Sequence, residues 1–210
     1  MSRPNLARAL PWDQQLARWV VTPLVATPVH PNHISTLGLL IGLAGAFALA
    51  QGGAPMAWGA GLFMLAAFMD HADGELARMA GKTSRFGHYY DRVCAATSYV
   101  TGFIGMGVGL RDGALGAWSI PVGIAAGLSI TAIFIVRNET ERMAGKAAIK
   151  QRNFLGFEIE DVLYVFGPLT WLGWLTPVLT ATAVGAPIFC IWSLTRLWRH
   201  RGGERPSDLP

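Results

Sequence analysis

Carboxylates gather in one short stretch of an otherwise apolar chain. Asp70 and Asp73 are three residues apart, so on a helix they share one face, and Asp91 follows beyond a short turn. Three acids that converge in a membrane protein cannot all stay ionised without a counter-charge. Carboxylate oxygens suit Mg²⁺ or Mn²⁺, and Mg²⁺ usually completes its shell with substrate phosphate. The cluster therefore predicts a divalent-metal site that handles a phosphorylated substrate.

Small and basic residues accompany the acids. Gly74 and Gly87 remove side chains where a bulky ligand would approach the backbone. Arg78 supplies a guanidinium whose geometry suits phosphate. The alternative is a solvated helix end in which the acids pair with Arg78 or Arg92. That alternative accounts for a single Asp but not for the whole set.

The elements that must position these residues are membrane helices. The chain of 210 residues is 52% hydrophobic and 14% charged, whereas soluble domains carry about 25% charged residues. A stretch from Trp12 to Val29 mixes polar and apolar residues and predicts an amphipathic helix at the membrane interface. Six apolar segments of helical length follow it. They run from about 34–50, 56–69 (continuing helically towards 80), 89–110, 115–136, 162–175 and 178–197.

Positive charge is concentrated in one set of loops, and the turn 111–113 on the other side holds one Arg beside an Asp. The turns 51–55 and 173–177 contain no Lys or Arg, whereas the loops 78–85 and 137–152 and both ends of the chain are basic. Because positive loops stay cytoplasmic, we expect both termini in the cytoplasm and an even number of spans. The fold class is therefore all-α: a polytopic membrane protein, a six-transmembrane helical bundle with an N-terminal amphipathic interfacial helix.

We expect a single membrane domain over residues 1–210. Its parts are a cytoplasmic or interfacial helix in 1–30, the six spans in 31–200 and a cytoplasmic tail in 201–210. The small size and the lack of organelle signals favour a bacterial inner membrane.

The spacing of seven positions makes the acidic pattern specific. They read Asp70-x2-Asp73-Gly74-x2-Ala77-Arg78-x8-Gly87-x3-Asp91. This pattern resembles the signature of the CDP-alcohol phosphotransferase family, whose members make phospholipid head groups. The segment 31–36 before the first span is similar to a Pro-Asn-x-x-Thr motif that family members often carry, so the resemblance extends over the rest of the chain.

The resemblance implies a role for each matching residue. Two divalent ions, Mg²⁺ or Mn²⁺, would be held by Asp70, Asp73 and Asp91. The implied reaction is attack of a small alcohol on the phosphorus of CDP-diacylglycerol with release of CMP, helped by metals that polarise the diphosphate. The residues implied to bind CDP are Asn32, Asp73, Gly74, Ala77, Arg78 and Gly87.

The pattern departs from the family at Ala95. Family members carry a fourth Asp there, which acts as general base on the acceptor hydroxyl and helps to hold the second metal. The catalytic positions are therefore Asp91 and Ala95, the place of the expected base. Ala can do neither job, and a positioned base contributes about 10²–10⁴-fold in rate, so we expect slow turnover or none.

Three explanations compete for Ala95: an engineered Asp-to-Ala substitution, a natural and catalytically silent relative that still binds a CDP-lipid, or another group acting as base. His88 lies on the same helical face, but about 10 Å away along the axis, which is too far for direct replacement. Spacing alone does not place His71.

Other functions fit the chain less well. Within the family, CDP-choline or CDP-ethanolamine could instead donate to diacylglycerol. A divalent-cation transporter is a second class, but transporters usually keep such sites at mid-membrane with an internal repeat, and the sequence has none. A net charge of +4 does not predict nucleic-acid binding, because the charges lie where the topology needs them.

The expected partners are a CDP-linked lipid, a small alcohol acceptor and membrane lipids. The pattern Gly38-x3-Gly42 and the glycines in 102–109 allow close helix approach. Packing inside one bundle explains them first, and a homodimer is the second explanation.

Overall fold

The computed structural model describes residues 12–144 and 162–203. No strand occurs in these two ranges, which confirms the all-α prediction. Predictions that concern residues 1–11, 145–161 and 204–210 lie outside the described residues. The described helices are α1 (Trp12–Val21), α2 (Pro31–Ala50), α3 (Gly53–Met79), α4 (Arg85–Gly109), α5 (Ser119–Ala144), α6 (Val162–Trp171) and α7 (Leu175–Gly203).

Two helices begin beside the acidic cluster, and local sequence explains both starts. Pro31 occupies the first turn of α2, where its missing N–H costs nothing. The backbone N–H of Asn32 donates to the ring of His30, which caps this helix at 3.2 Å. At α4, the backbone N–H of Gly87 donates to Ser84 Oγ at 2.9 Å, an ordinary serine cap.

Helix α2 is the centre of the bundle. It packs extensively against both α3 and α4, whereas α3 and α4 touch each other much less. The short turn after α3 predicts that α3 and α4 are direct neighbours. That prediction holds only in part, because α2 fills the space between them over most of their length. The acids of α3 and α4 therefore converge around the first turns of α2.

Glycines let the three helices approach closely. A Cβ added at Gly105 of α4 would overlap the carbonyl oxygen of Ala46 on α2. One added at Gly59 of α3 would lie 2.6 Å from the backbone nitrogen of Leu49. Gly42 faces α4 and α3 in the same way. Packing inside one bundle, the first explanation for the glycine pattern, is confirmed at these positions.

Three phenylalanines join the helices below the acidic cluster. The ring centroids of Phe103 and Phe166 are 5.0 Å apart, and Phe63 lies 5.9 Å from Phe103 and 6.4 Å from Phe166. All three contacts are edge-to-face and fully buried, an arrangement that adds packing energy to the burial of the rings. This cluster ties α6 to α3 and α4.

The outside of the bundle is apolar. Among the described residues, the helical stretches long and apolar enough to cross a membrane are Pro31–Ala50, Gly116–Thr140 and Leu175–Thr195. Large side chains such as Phe47 and Trp58 are 70% and 80% exposed, as expected of a surface that faces lipid. The chain has the character of a membrane protein. The six-span count stays a prediction, since the described part of α6 has 10 residues, or about 15 Å of helix.

Replacing Gly105 by Ala tests the close approach of α2 and α4. The added methyl group meets backbone rather than a movable side chain, so the helices must separate. We expect the free energy of unfolding to fall by about 1–3 kcal/mol, measured by thermal or denaturant unfolding in detergent micelles. Gly185→Ala on α7 is the matched control, because its added Cβ meets nothing within 4 Å. Equal effects of the two substitutions would contradict this packing.

Candidate functional site

A cavity of about 420 Å³ opens where α2, α3 and α4 meet. It collects residues that are far apart in sequence, and every site residue predicted from the sequence lines it. They are Asn32, Asp70, Asp73, Gly74, Ala77, Arg78, Gly87, Asp91 and Ala95. The structure thus brings the predicted set together in one place, while the roles of the residues stay predictions.

The three acids occupy one wall of the cavity. Asp73 is buried, and its Oδ2 accepts a hydrogen bond from Ser35 Oγ on α2. Asp70 Oδ2 accepts one from the Tyr99 hydroxyl at 3.2 Å. The carboxyl of Asp91 interacts with both acids, and its Oδ1 is buried without a hydrogen-bond partner among the described residues. Sequence reasoning missed Ser35 and Tyr99, although Ser35 stands in the Pro-Asn segment that it singled out.

Crowding makes the charge of these acids costly. Asp73 lies beyond the end of the predicted second span, 56–69. Burial, followed by the charges of Asp91 and Asp70, raises the pKa of Asp73 to about 9. At neutral pH the cluster therefore cannot hold three negative charges unless a cation joins it.

The donor set fits a hard divalent cation. The acidic side chains offer only oxygen ligands, which Mg²⁺ and Mn²⁺ prefer. The buried Oδ1 of Asp91 has no hydrogen-bond partner among the described residues, a need that a bound cation would satisfy. Within the described ranges, no three Asp, Glu, His or Cys side chains are arranged so that together they could hold a metal ion. In the structure, Asp70 and Asp73 accept hydrogen bonds from Tyr99 and Ser35.

A buried glutamate fixes the guanidinium of Arg78. Glu75 is 1% exposed, and its carboxylate accepts hydrogen bonds from Arg78 Nη2 at 2.6 Å and from Arg18 Nε at 2.8 Å. Burial acts to raise the pKa of Glu75, but the bonds from Arg78 and Arg18 outweigh it and lower that pKa. A Cβ at Gly74 would lie 3.5 Å from the same guanidinium, so Gly74 leaves the space in front of Arg78 open.

Helix α1 packs on α3 through its polar residues. Asp13 is only 3% exposed, and its Oδ2 lies 3.1 Å from Nε2 of His71, which lines the cavity. Trp19, in contrast, is 77% exposed. Asp13 therefore packs against α3, and the amphipathic helix at the membrane interface stays a prediction. Gln14 of α1 also lines the cavity.

Backbone contacts hold the start of α2 at the cavity rim. Lys82 Nζ, in the turn after α3, donates to the carbonyl oxygens of Thr27 and Val29 at 3.0 and 2.9 Å. A Cβ at Gly87 would lie 3.2 Å from Asn32 Oδ1, so the absence of a side chain there leaves room for Asn32. These contacts place the first turn of α2 against the start of α4.

Ala95 faces the cavity beside Ala96 and Tyr99. His88, considered above as a substitute base, is engaged elsewhere, since its Nε2 accepts a hydrogen bond from Arg92 Nη2 at 2.6 Å. His71 also lines the cavity but contacts Asp13. Neither histidine is therefore placed by its contacts to replace an acid at position 95.

Residues 28–194 match the sequence model of a family described as CDP-alcohol phosphatidyltransferase. A curated relative from Aquifex aeolicus (strain VF5), a bifunctional IPC transferase and DIPP synthase, is 23% identical over 192 residues. That match covers 87% of this chain but 42% of the relative, so the chain spans less than half of the relative's length.

Two solved structures of phosphatidylinositol phosphate synthase from Mycobacterium tuberculosis share the fold. The one with CDP-DAG bound has a TM-score of 0.63 and 21% identity, and the match covers 94% of this chain and 99% of that one. The one in complex with manganese and citrate has a TM-score of 0.61 and 21% identity, with 94% of each chain covered. At this identity the likeness concerns the fold alone.

Glu75→Gln tests the carboxylate that holds Arg78 and Arg18. We expect a loss of about 1–2 kcal/mol at neutral pH, because two charge-assisted hydrogen bonds weaken. The folded-state pKa of Glu75 lies below its ordinary value of 4.5. Its contribution is therefore complete above that value and is lost as pH falls through the folded-state pKa.

The difference in melting temperature between the original chain and Glu75→Gln should therefore shrink in acid. Asp112→Asn is the control, since the side chain of Asp112 is 88% exposed and pairs only loosely with Arg111 at 3.8 Å. A difference that stayed constant down the acid range would contradict the assignment.

Proposed function

Because the chain belongs to the CDP-alcohol phosphatidyltransferase family, whose members transfer phosphate-containing groups, we propose that it moves a phosphatidyl group from CDP-diacylglycerol to a small polar alcohol. The alcohol oxygen forms a bond to the lipid-linked phosphorus. The bond from that phosphorus to CMP breaks, and CMP leaves. The proton of the hydroxyl must pass to a base.

The observation that supports the proposal is that all the signature residues line one cavity. Residues from three helices, including all three acids and Arg78, line the same space. A chance resemblance in sequence would not require the matching positions to share a cavity. The volume of about 420 Å³ falls within the range of small-molecule sites.

The non-acidic signature residues would receive the nucleotide and its diphosphate. Arg78 is held by Glu75 with part of its guanidinium still exposed, which suits a bidentate contact with phosphate. Asn32 lines the cavity in the first turn of α2, and its side-chain amide can donate a hydrogen bond to a phosphate oxygen. Gly74, Ala77 and Gly87 provide short walls against which the pyrimidine or ribose can lie.

Asp70, Asp73 and Asp91 would hold Mg²⁺ or Mn²⁺, and we propose two ions. Bound there, the ions supply charge neutralisation and polarisation of the diphosphate. The chain's own contribution is to keep the acids together by burial and by the Ser35 and Tyr99 hydrogen bonds.

Ala95 leaves the acceptor hydroxyl without the base that family members carry at that position. Asp91, one turn earlier on α4, is the nearest acid in sequence and has a buried, unpartnered oxygen. If Asp91 also holds a metal, its capacity to take a proton is small. We therefore propose slow turnover for the chain as it stands.

We also propose how the chain lies in the membrane. The cavity opens at the cytoplasmic ends of six spans, and α1 lies at the interface with Trp19 and its apolar neighbours towards lipid. Both termini are then cytoplasmic, in a bacterial inner membrane. A homodimer is compatible with this arrangement.

Ala95 supports a second candidate function, that of a non-catalytic protein that binds a CDP-lipid. Such a protein would keep the acids, Arg78 and the glycines and would lose only the proton acceptor. Binding and turnover must therefore be measured separately.

Binding is tested by thermal unfolding of the full chain in detergent with Mn²⁺ and CDP. We expect the two ligands together to raise the melting temperature more than the sum of their separate effects, because Mn²⁺ and diphosphate share a shell. At 100 times the dissociation constant, the stabilisation is about 2.7 kcal/mol. Asp91→Asn should abolish the effect of Mn²⁺ and Arg78→Gln that of CDP, while Asp112→Asn changes neither. Protection by Mn²⁺ with no response to CDP would favour a cation transporter.

Turnover is tested by CMP release from CDP-diacylglycerol in mixed micelles with Mg²⁺ or Mn²⁺. Ala95→Asp restores the missing carboxylate and should raise the rate about 10²-fold or more. Ala95→Asn has nearly the same shape but does not accept a proton at neutral pH, so it serves as the matched control. If Ala95→Asp gave no gain over Ala95→Asn, the base assignment would be wrong.

A further inference from the structure

Helix α1 brings an arginine into contact with the site although that arginine does not line the cavity. Arg18 Nε donates to Glu75 Oε2 on α3 at 2.8 Å. Arg78, the other partner of Glu75, does line the cavity, whereas Arg18 does not. An influence of Arg18 on a bound ligand through contacts must therefore pass through Glu75 and Arg78.

Apolar packing sets the position of Arg18 on α3, independently of its ion pair. The adjacent Ala17 and the next residue on that face, Val21, are 0% and 1% exposed. They pack in one cluster with Ala72 and Leu76 of α3. Since residues four apart share a helical face, this face of α1 is fixed against α3. A substitution of Arg18 should therefore leave α1 in place.

Glu75 divides its two oxygens between the two arginines. Oε1 accepts a hydrogen bond from Arg78 Nη2 at 2.6 Å, while Oε2 is occupied by Arg18. The side chain of Glu75 is nearly inaccessible to water, so water does not replace either contact. One carboxylate shared by two guanidinium groups leaves the three side chains with a net positive charge.

Without Arg18, Glu75 Oε2 would need another donor. A buried carboxylate oxygen without a partner is costly, and Arg78 is three residues away on the same helix. Arginine and carboxylate groups frequently form two parallel hydrogen bonds. Glu75 would then engage Arg78 through both of its oxygens. Arg78 would have fewer donors and no net charge left for a ligand.

With Arg18 in place, Arg78 keeps donors for the cavity. Its printed contact uses Nη2 alone, and its side chain is 56% exposed. On the basis of the proposed function, we propose that Arg18 is a positioning residue for the diphosphate. By holding Glu75 Oε2, Arg18 limits Glu75 to one contact with Arg78 and leaves the rest of that guanidinium to the ligand.

The test compares CDP binding by the full chain and its variants in detergent micelles at saturating Mn²⁺. The dissociation constant is measured by isothermal titration calorimetry. Arg18→Gln should weaken CDP binding about tenfold, on the scale of one charge-assisted hydrogen bond. It should leave the dissociation constant of Mn²⁺, measured without CDP, unchanged. Arg18→Lys keeps a charged donor for Glu75, so it should retain most of the affinity for CDP.

The double variant Arg18→Gln/Glu75→Gln separates this role from the docking of α1. An amide at position 75 cannot form the bidentate ion pair with Arg78. In the Glu75→Gln background, Arg18→Gln should therefore weaken CDP binding by about twofold or less, which is the non-additivity expected of residues that act through each other. Equal losses in the two backgrounds would indicate a general effect of charge or docking and would overturn the inference.

Arg111→Gln is the control, because Arg111 donates to backbone carbonyls at the far end of α4. It should leave CDP binding unchanged. An Arg18→Gln chain that binds CDP as tightly as the original, or that loses its affinity for Mn²⁺, would overturn the inference while leaving the proposed function intact. Failure of the original chain to bind CDP in the presence of Mn²⁺ would overturn both.

Discussion

Repulsion among Asp70, Asp73 and Asp91 is the constraint around which this bundle is organised. Burial, followed by the charges of Asp91 and Asp70, raises the pKa of Asp73 to about 9, so three ionised carboxylates in this partly buried space oppose folding. The protein keeps them together by giving Asp73 and Asp70 hydrogen bonds from Ser35 and Tyr99. The buried Oδ1 of Asp91 has no hydrogen-bond partner among the described residues, and a cation bound there, as we propose, would compensate the negative charge.

The packing of α2 is what makes this arrangement possible. Helices α3 and α4 carry the acids, but α2 touches both of them more than they touch each other. Glycines such as Gly59 and Gly105 bring its backbone close to theirs. The first turn of α2 then lies at the acids, with Ser35 beside Asp73 and Asn32 beside Gly87. A looser bundle would let the carboxylates move apart and relieve their repulsion.

Charged side chains outside the acidic cluster are also held by specific contacts. Glu75 is buried between Arg78 and Arg18 and joins α1 to the side of α3 that lines the cavity. Arg92, on the other side, is held by a hydrogen bond to the ring of His88. Ala95, which lines the same cavity, adds no charge to it.

Local pattern was enough to determine the helical class and the candidate residues of the site. Apolar segments of helical length predict the elements, and the spacing of the acids and glycines predicts that they act together, because both signals depend only on helix periodicity. The resemblance carried by that spacing also identified the family. None of this required contacts between distant parts of the chain.

Contacts between distant parts of the chain were decided only by the tertiary structure. Asp13 looks like a solvated residue of an amphipathic helix, yet it is buried against His71, because burial depends on what packs there and not on periodicity. The position of α2 between α3 and α4 and the pairing of Glu75 with Arg18 depend likewise on side chains that are dozens of residues apart in sequence. Spacing along one helix says which residues share a face, but only packing decides what that face meets.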